Sequence, residues 1–229
     1  MSGFEGFPRG THKFLNDLTK NNNREWFAEN KIRYENFFLE PALSFIGAMQ
    51  QPLQRVAPLL HAEPKKVGGS LMRIYKDTRF SKDKTPYKTN IGIHFRHQAG
   101  KDVHAPGVYV HIAPNECFLG IGIWRPPSDA IKAIREHISE CPVTWNRFRK
   151  NKKFNEYFEL HDERLKTAPK GFPKDHPQIE DLRLKSFIGL CQLKKSDIES
   201  PELLDTTVDL IKRGKPLMTF LCEALQQPY

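Results

Sequence analysis

Gly107-Val-Tyr-Val-His-Ile-Ala-Pro-Asn-Glu-Cys-Phe-Leu-Gly-Ile-Gly-Ile-Trp124 is the stretch that decides the fold. Apolar residues recur every second position on both sides of Pro114-Asn115-Glu116: Val108, Val110 and Ile112 before it, Leu119, Ile121 and Ile123 after it. A period of two describes a strand, and a short polar turn between two such runs describes an antiparallel hairpin. Symmetric pairing about the turn sets Val110 opposite Leu119 and Val108 opposite Ile121, all on one buried face. Asn90–His97 repeats the pattern with Ile91, Ile93 and Phe95, which extends the hairpin into a meander within Leu71 to Trp124.

The opposite face carries His94 and Arg96 on one strand, Tyr109 and His111 on the next, and Gly120 and Gly122 on the third. Glycine weakens a strand and often marks the close approach of a ligand or another backbone. The competing reading is a helix that covers this face, with the glycines making room for it. A slip of one residue in register would scatter the set.

Outward from the meander the period becomes helical. Thr11 to Lys20 reads as a short helix, Asn21-Asn22-Asn23 as its stop and the next cap, and Arg24 as a second start. Phe27, Tyr34, Phe37 and Phe38 form a core face, and Pro41 permits a fresh start with Leu43, Ile46, Leu53 and Val56 beyond it. Downstream, Ser128 reads as the N-cap of a helix bearing Ala130, Ile131, Ile134 and Ile138, ended by Cys141-Pro142. Trp145, Phe148 and Phe154 read as core contacts, and Ser186–Leu193 as a further strand. Ser200-Pro201-Glu202 starts another helix that Gly214 should close, and Pro216 should open a last one to about Gln227. The expected class is α+β: one domain over 1–229, with N-terminal helices, a central antiparallel β-meander and C-terminal helices.

The chain has 229 residues, with 16 Phe, 3 Trp and 6 Tyr as material for a core. No apolar run reaches the roughly 18 residues of a membrane span, and the N-terminus has no apolar secretion segment, so no membrane partner is expected. Cys117, Cys141, Cys191 and Cys222 stand far apart, as reduced thiols of a cytoplasmic protein would. No GxSxG, HExxH or GxxxxGK[ST] occurs, so the cofactor stays unassigned. Val67-Gly68-Gly69-Ser70 lacks a phosphate-loop lysine and reads as a turn. His94, His97, His104 and His111 invite a metal, but only His94 and His111 share a face, so none is assigned. Cys117 falls on the apolar face, where a thiol is inert.

Charge is unevenly distributed. The chain carries +9 overall, and Pro64–Lys101 holds ten bases against Asp77 and Asp83. A cationic cluster in an otherwise balanced chain points to an anionic partner. Within it, Arg73 and Arg79 are planar forks for phosphate or carboxylate, and Lys76, Lys82, Lys84 and Lys88 add point charges. Tyr87 offers a hydroxyl and a ring, Phe80 is the expected core anchor of the loop, and Asp77 is a candidate base. The alternative is a solvated connection in which Asp77–Arg79 and Asp83–Lys84 neutralise one another.

Lys76-Asp-Thr-Arg-Phe-Ser-Lys-Asp-Lys-Thr-Pro-Tyr-Lys-Thr-Asn-Ile-Gly-Ile-His-Phe95 resembles the signature of a bacterial family of conserved hypothetical proteins, catalogued as domain of unknown function 2461. Three other stretches carry the same likeness: Asn21–Glu35, Gly107–Pro126 and Pro169–Phe187. The resemblance implies one full-length domain and brings no activity with it. Where the family's pattern has Arg before the Asp, this chain has Lys76, which keeps the charge and loses the bidentate fork.

Three functions follow as expectations. The first is binding of a small phosphorylated or otherwise anionic, nucleotide-like ligand by the basic loop at 73–88. Its ligand-binding residues are Arg73, Lys76, Arg79, Lys84, Tyr87, Lys88, Arg96 and Tyr109. The second is a hydrolase or transferase acting on a phosphorylated substrate, with Asp77 or His111 as the catalytic group. The third is binding of nucleic acid or an acidic protein. Oligomeric state is not legible.

Overall fold

The computed structural model describes residues 4–100 and 105–229, so Lys101 and His104 lie outside the described residues. Phe14, Leu15 and Leu18 make the buried stripe of α1, Gly10–Lys20. The asparagine triplet then breaks the chain, and the Asn23 side chain accepts from the Trp26 N–H at 2.8 Å to cap α2, Arg24–Glu29. The helix α3, Lys31–Tyr34, runs through one π-type turn, Glu35–Leu39, into α4, Glu40–Val56, which has Pro41 in its first turn. Proline is tolerated there because a first-turn amide has no partner to lose.

The sheet has six strands, all antiparallel: β1 Leu60–His61, β2 Ile91–His97, β3 Gly107–Ile112, β4 Cys117–Ile123, β5 Glu159–Leu160 and β6 Phe187–Leu193. Their spatial order is β1-β2-β3-β4-β6-β5. The expected pairing holds residue for residue, with Val110 opposite Leu119 and Val108 opposite Ile121. A bond from the Ala113 N–H to the Glu116 carbonyl, 2.9 Å, closes the turn that sets it. Between β4 and β6 come α5 Ser128–Glu140, α6 Pro142–Arg149, α7 Lys152–Asn155 and α8 Ile179–Leu182. The short α9, Lys195–Ile198, and the long α10, Leu203–Ala224, follow β6. Among the described residues no helix is long and apolar enough to cross a membrane.

The helices cover one face of the sheet. Phe45 of α4 meets Phe95 of β2, Phe154 of α7 lies over Gly189 of β6, and Gly214 of α10 rests on Ile121 of β4. Burial of such side chains contributes roughly 1.5–3 kcal/mol each.

Three expectations are corrected. Ser128 is the first helical residue of α5, with Pro127 in the cap position. The two helices expected around Gly214 and Pro216 are one, α10. A β-carbon at Gly214 would collide with the Ile121 side chain, so this glycine serves close packing of helix on sheet and not a helix end. Pro216 costs α10 one backbone bond, but Leu217, Met218 and Leu221 around it are buried, and their packing carries the helix through. The third correction concerns Phe80, which anchors nothing. It is 97% exposed, with only the Arg79 guanidinium near its ring, 5.9 Å from the centroid.

Tyr87 holds the loop instead. Its ring stacks on Phe27 at 4.1 Å between centroids. Its backbone is bonded twice to one side chain: the Tyr87 N–H donates to Asn22 Oδ1 at 3.0 Å, and Asn22 Nδ2 donates to the Tyr87 carbonyl at 2.9 Å. Phe80→Ala should therefore change unfolding free energy by less than about 0.5 kcal/mol, as at an ordinary surface site. Tyr87→Ala should cost about 3–5 kcal/mol, the range for an aromatic removed from a core. Urea denaturation measures both, and a larger loss for Phe80→Ala would show the loop docked onto the core.

His12 and His97 are buried in this core. Desolvation lowers the pKa of each below the ordinary 6.5; the Lys195 charge adds to it at His12, and His61 at His97. His12 Nε2 lies 3.5 Å from Cys117 Sγ, and burial raises that thiol's pKa, so both groups stay neutral. A depressed imidazole pKa means that the unfolded chain takes up protons first as pH falls. Stability should thus be level above about pH 6.5 and decline below it, by up to about 1.4 kcal/mol per pH unit for each imidazole. Thermal melts from pH 8 to pH 5 test this; a melting temperature flat across pH 6.5 would mean these imidazoles are not desolvated.

Candidate functional site

Register assigns the sheet's second face. Its residues fall into three rows across the strands: His61, Arg96, Gly107, Gly122 and Ile188; then His94, Tyr109, Gly120 and Leu190; then Gly92, His111, Phe118 and Gln192. This is the grouping of His94, Arg96, Tyr109, His111 and two glycines that alternation implies, and the long helices α4 and α10 pack on the other side. A trough of about 520 Å³ lies here, walled by Tyr109, Phe118, Trp124, His161, Ile188 and Leu190, with Met72 and His94 on the β2 side.

The glycines let rings lie flat against the backbone. A β-carbon on Gly107 would sit 2.6 Å from His94 Nε2, and one on Gly92 would sit 2.8 Å from the Tyr109 hydroxyl. Gly122 has a different reason: its φ of +127° is one that side chains rarely adopt, and a β-carbon would collide with the Phe187 carbonyl.

Burial favours the uncharged forms of Tyr109 and His111. Burial pushes the Tyr109 phenol up to about 12, so it keeps its proton. Desolvation lowers His111 below 6.5, partly opposed by Glu116. The Tyr109 hydroxyl lies within hydrogen-bond distance of His111 Nδ1, at 3.2 Å. Asn90 Nδ2 is 3.4 Å from both the Tyr109 hydroxyl and His111 Nδ1. The His111 ring stacks on Phe118 at 4.7 Å and 8°, and Trp124 lies 4.8 Å from His161. Among the described residues no lysine or arginine lines the trough, and Glu116 is its one carboxylate.

The basic segment lies apart from that lining. Arg79 forms a fork with Asp77, 3.0 and 2.7 Å, and that pair holds Asp77 down at about 2, so its carboxylate is ionised and paired. Lys76, not Lys84, pairs with Asp83, at 2.8 Å, and also donates to Thr85 at 2.6 Å. Lys84 donates to the Thr78 carbonyl at 2.9 Å. Asp77, Arg79 and His111 thus do not meet, and none of them lines the trough. Arg73 is exposed and Lys88 half-buried; neither has a carboxylate within 4 Å among the described residues. Burial, and the Arg73 charge after it, lower the Lys88 pKa. Among the described residues no three His, Cys, Asp or Glu side chains converge to hold a metal.

Phe118 was readable as a trough residue, since it shares the parity of Gly120 and Gly122. His161, Ile188 and Leu190 were not, because β6 joins β4 only after the long helical excursion.

No curated protein and no solved structure matches the chain. The model of a family described as conserved hypothetical protein DUF2461 matches residues 10–220. That span takes in the basic lobe, all six strands and the helices behind them, so the chain belongs to the conserved hypothetical protein family DUF2461.

Proposed function

We propose that the protein binds a small, planar, anionic ligand of nucleotide-like chemistry, with its ring in the trough on the open sheet face. The observation that carries this reading is the lining itself: about 520 Å³ bounded by aromatic and aliphatic side chains, with the neutral Tyr109 phenol and the rings of His94 and His161 among them. Pockets of this size and make-up suit a ring that stacks and makes a few directed hydrogen bonds. The basic segment acts at longer range. Arg73 directly follows Met72, a trough residue, and it and Lys88 have no carboxylate within 4 Å among the described residues. Cations lacking partners beside a low-dielectric cleft raise the local concentration of anions and their rate of entry.

A catalytic role is the weaker reading. Asp77 is committed to Arg79, and His111 stands behind Phe118 and Tyr109 rather than in the lining.

Trp124 is partly exposed at the trough, and its fluorescence reports occupancy. Titration with purine and pyrimidine nucleoside 5′-monophosphates should give saturable quenching by at least one of them. Phe118→Ala should weaken that binding by about 1–3 kcal/mol, the range for one lost stacking partner. No response across the panel, or equal affinity in the variant, would overturn the reading. Arg73→Ala with Lys88→Ala should slow association several-fold at low salt and flatten its salt dependence, leaving dissociation nearly unchanged. Stopped-flow traces at two ionic strengths measure this; a change confined to dissociation would make these cations direct ligand contacts.

A further inference from the structure

Beside the trough, at the β1 end of the same face, is a second and smaller cavity of about 140 Å³. His94 lines both, so the two adjoin. The rest of the small cavity comes from Gly68, Gly69, Ser70 and Arg96, with His61, Glu63 and the end of β2. Arg96 belongs to the first cross-strand row, so its side chain rises from the trough's own face. Its Nε is buried without a hydrogen-bond partner, and among the described residues no carboxylate lies within 4 Å of its guanidinium. Leaving a buried guanidinium nitrogen unmatched is costly, so such an atom marks a place for an acceptor.

The glycine pair supplies the rest. Gly68 has φ +74°, and a β-carbon on Gly69 would sit 2.5 Å from the Glu63 carbonyl, so both positions require glycine for the turn. Gly69 is buried and Gly68 exposed, and among the described residues neither N–H bonds an acceptor outside their own turn, which spans 66–68. The Ser70 hydroxyl donates to the His61 carbonyl and accepts from the Glu63 N–H, which fixes the turn beside β2. Glu63 is the one carboxylate in this lining, and Lys65 holds it at 3.2 Å. His97 is occupied as well: Nε2 bonds the Pro228 carbonyl and Nδ1 accepts from Ala99.

We infer that this cavity is an oxyanion subsite, in which the Arg96 guanidinium and the Gly68 and Gly69 amides receive the phosphoryl group of a ligand whose ring lies in the trough. The joint placement rests on the trough reading; the subsite itself does not. Polarity along the face agrees with this direction. Glu116 closes the trough beyond the His111–Phe118 row, and Arg96 stands at the opposite end. An anionic group is repelled at the first end and received at the second. The 140 Å³ cavity admits a group of a few heavy atoms and no ring system, which the wider trough takes.

Amide NMR of the full chain titrated with inorganic phosphate tests the subsite. Saturable shifts should centre on Gly68, Gly69, Ser70 and the Arg96 side-chain N–H, with the Trp124 indole unmoved; acetate should shift the same amides less. Arg96→Gln should weaken phosphate about tenfold or more, as loss of a charge-assisted bond does, with a melting temperature equal to or above that of the wild type. Arg96→Lys should recover part of the affinity. Shifts spread without saturation over Lys76 to Lys88, or an unfolded Arg96→Gln together with no phosphate shift at Gly69 in the wild type, overturn the proposal. The two readings separate cleanly. Phosphate at Gly69 with no nucleotide reaching Trp124 keeps the subsite and removes the trough. Nucleoside monophosphates that quench Trp124 equally well in Arg96→Gln keep the trough and remove the subsite.

Discussion

Register between β3 and β4 governs everything else in this molecule, and it is set by four residues. Once the Ala113 N–H bonds the Glu116 carbonyl, Val110 must face Leu119, and Tyr109 must fall beside Gly120 on the other side. A slip of one residue would exchange the two faces, sending Tyr109 and His111 beneath the helices and exposing the valines and isoleucines. The energetic gap between those alternatives is large, because each misplaced aliphatic forfeits roughly 1.5–3 kcal/mol of burial. Core and trough are therefore two consequences of one choice. The hydrophobic effect that buries Val108 and packs Ile121 against α10 also lines up polar rings on the opposite side.

That logic explains what could be read from the chain and what could not. Alternation over Ile91–Phe95, Val108–Ile112 and Leu119–Ile123 determined the meander, its pairing and the membership of both faces, because a period of two needs no information from elsewhere. Asn23 as a cap was equally local. The helix around Gly214 and Pro216 was misread because two local signals, a helix-ending glycine and a helix-starting proline, were outweighed by packing onto Ile121. Phe80 was misread for the complementary reason. Its apolar ring argues for burial, but the loop is already anchored by Tyr87 through Phe27 and Asn22, which lie 60 and 65 positions away. His161, Ile188 and Leu190 complete the trough by a strand pairing that no short-range pattern announces.

Clustered charge is a weaker guide than clustered shape. Ten bases in a short segment suggest one cationic surface, yet side chains find the nearest opposite charge first. Asp77 takes Arg79 and Asp83 takes Lys76, both on an exposed lobe where solvent screening leaves such pairs weak. Those cations are screened by their partners as well as by solvent. What remains is a sorted set: Arg73 and Lys88 without a carboxylate within 4 Å among the described residues, and Arg96 in the small cavity beside the trough, with a nitrogen that nothing in the described chain satisfies. Effective electrostatics depend on which charges lack partners and how deeply they sit, not on how many share a stretch of sequence.

The scarcity of charge in the trough is itself informative. Burial raises the Tyr109 phenol and lowers the His111 imidazole, so each favours its uncharged form. A pocket built to grip an anion along its whole length would place cations in the lining, where desolvation strengthens their attraction. A pocket built for a ring would do what is seen here: offer flat apolar walls, neutral donors and acceptors, and glycines that let side-chain rings lie against the backbone. An anionic ligand satisfies both halves of this surface only if its charge and its ring are separate parts of one molecule. The ring then occupies the apolar walls, and the charged group sits where an unmatched Arg96 nitrogen and the Gly68–Gly69 turn adjoin them.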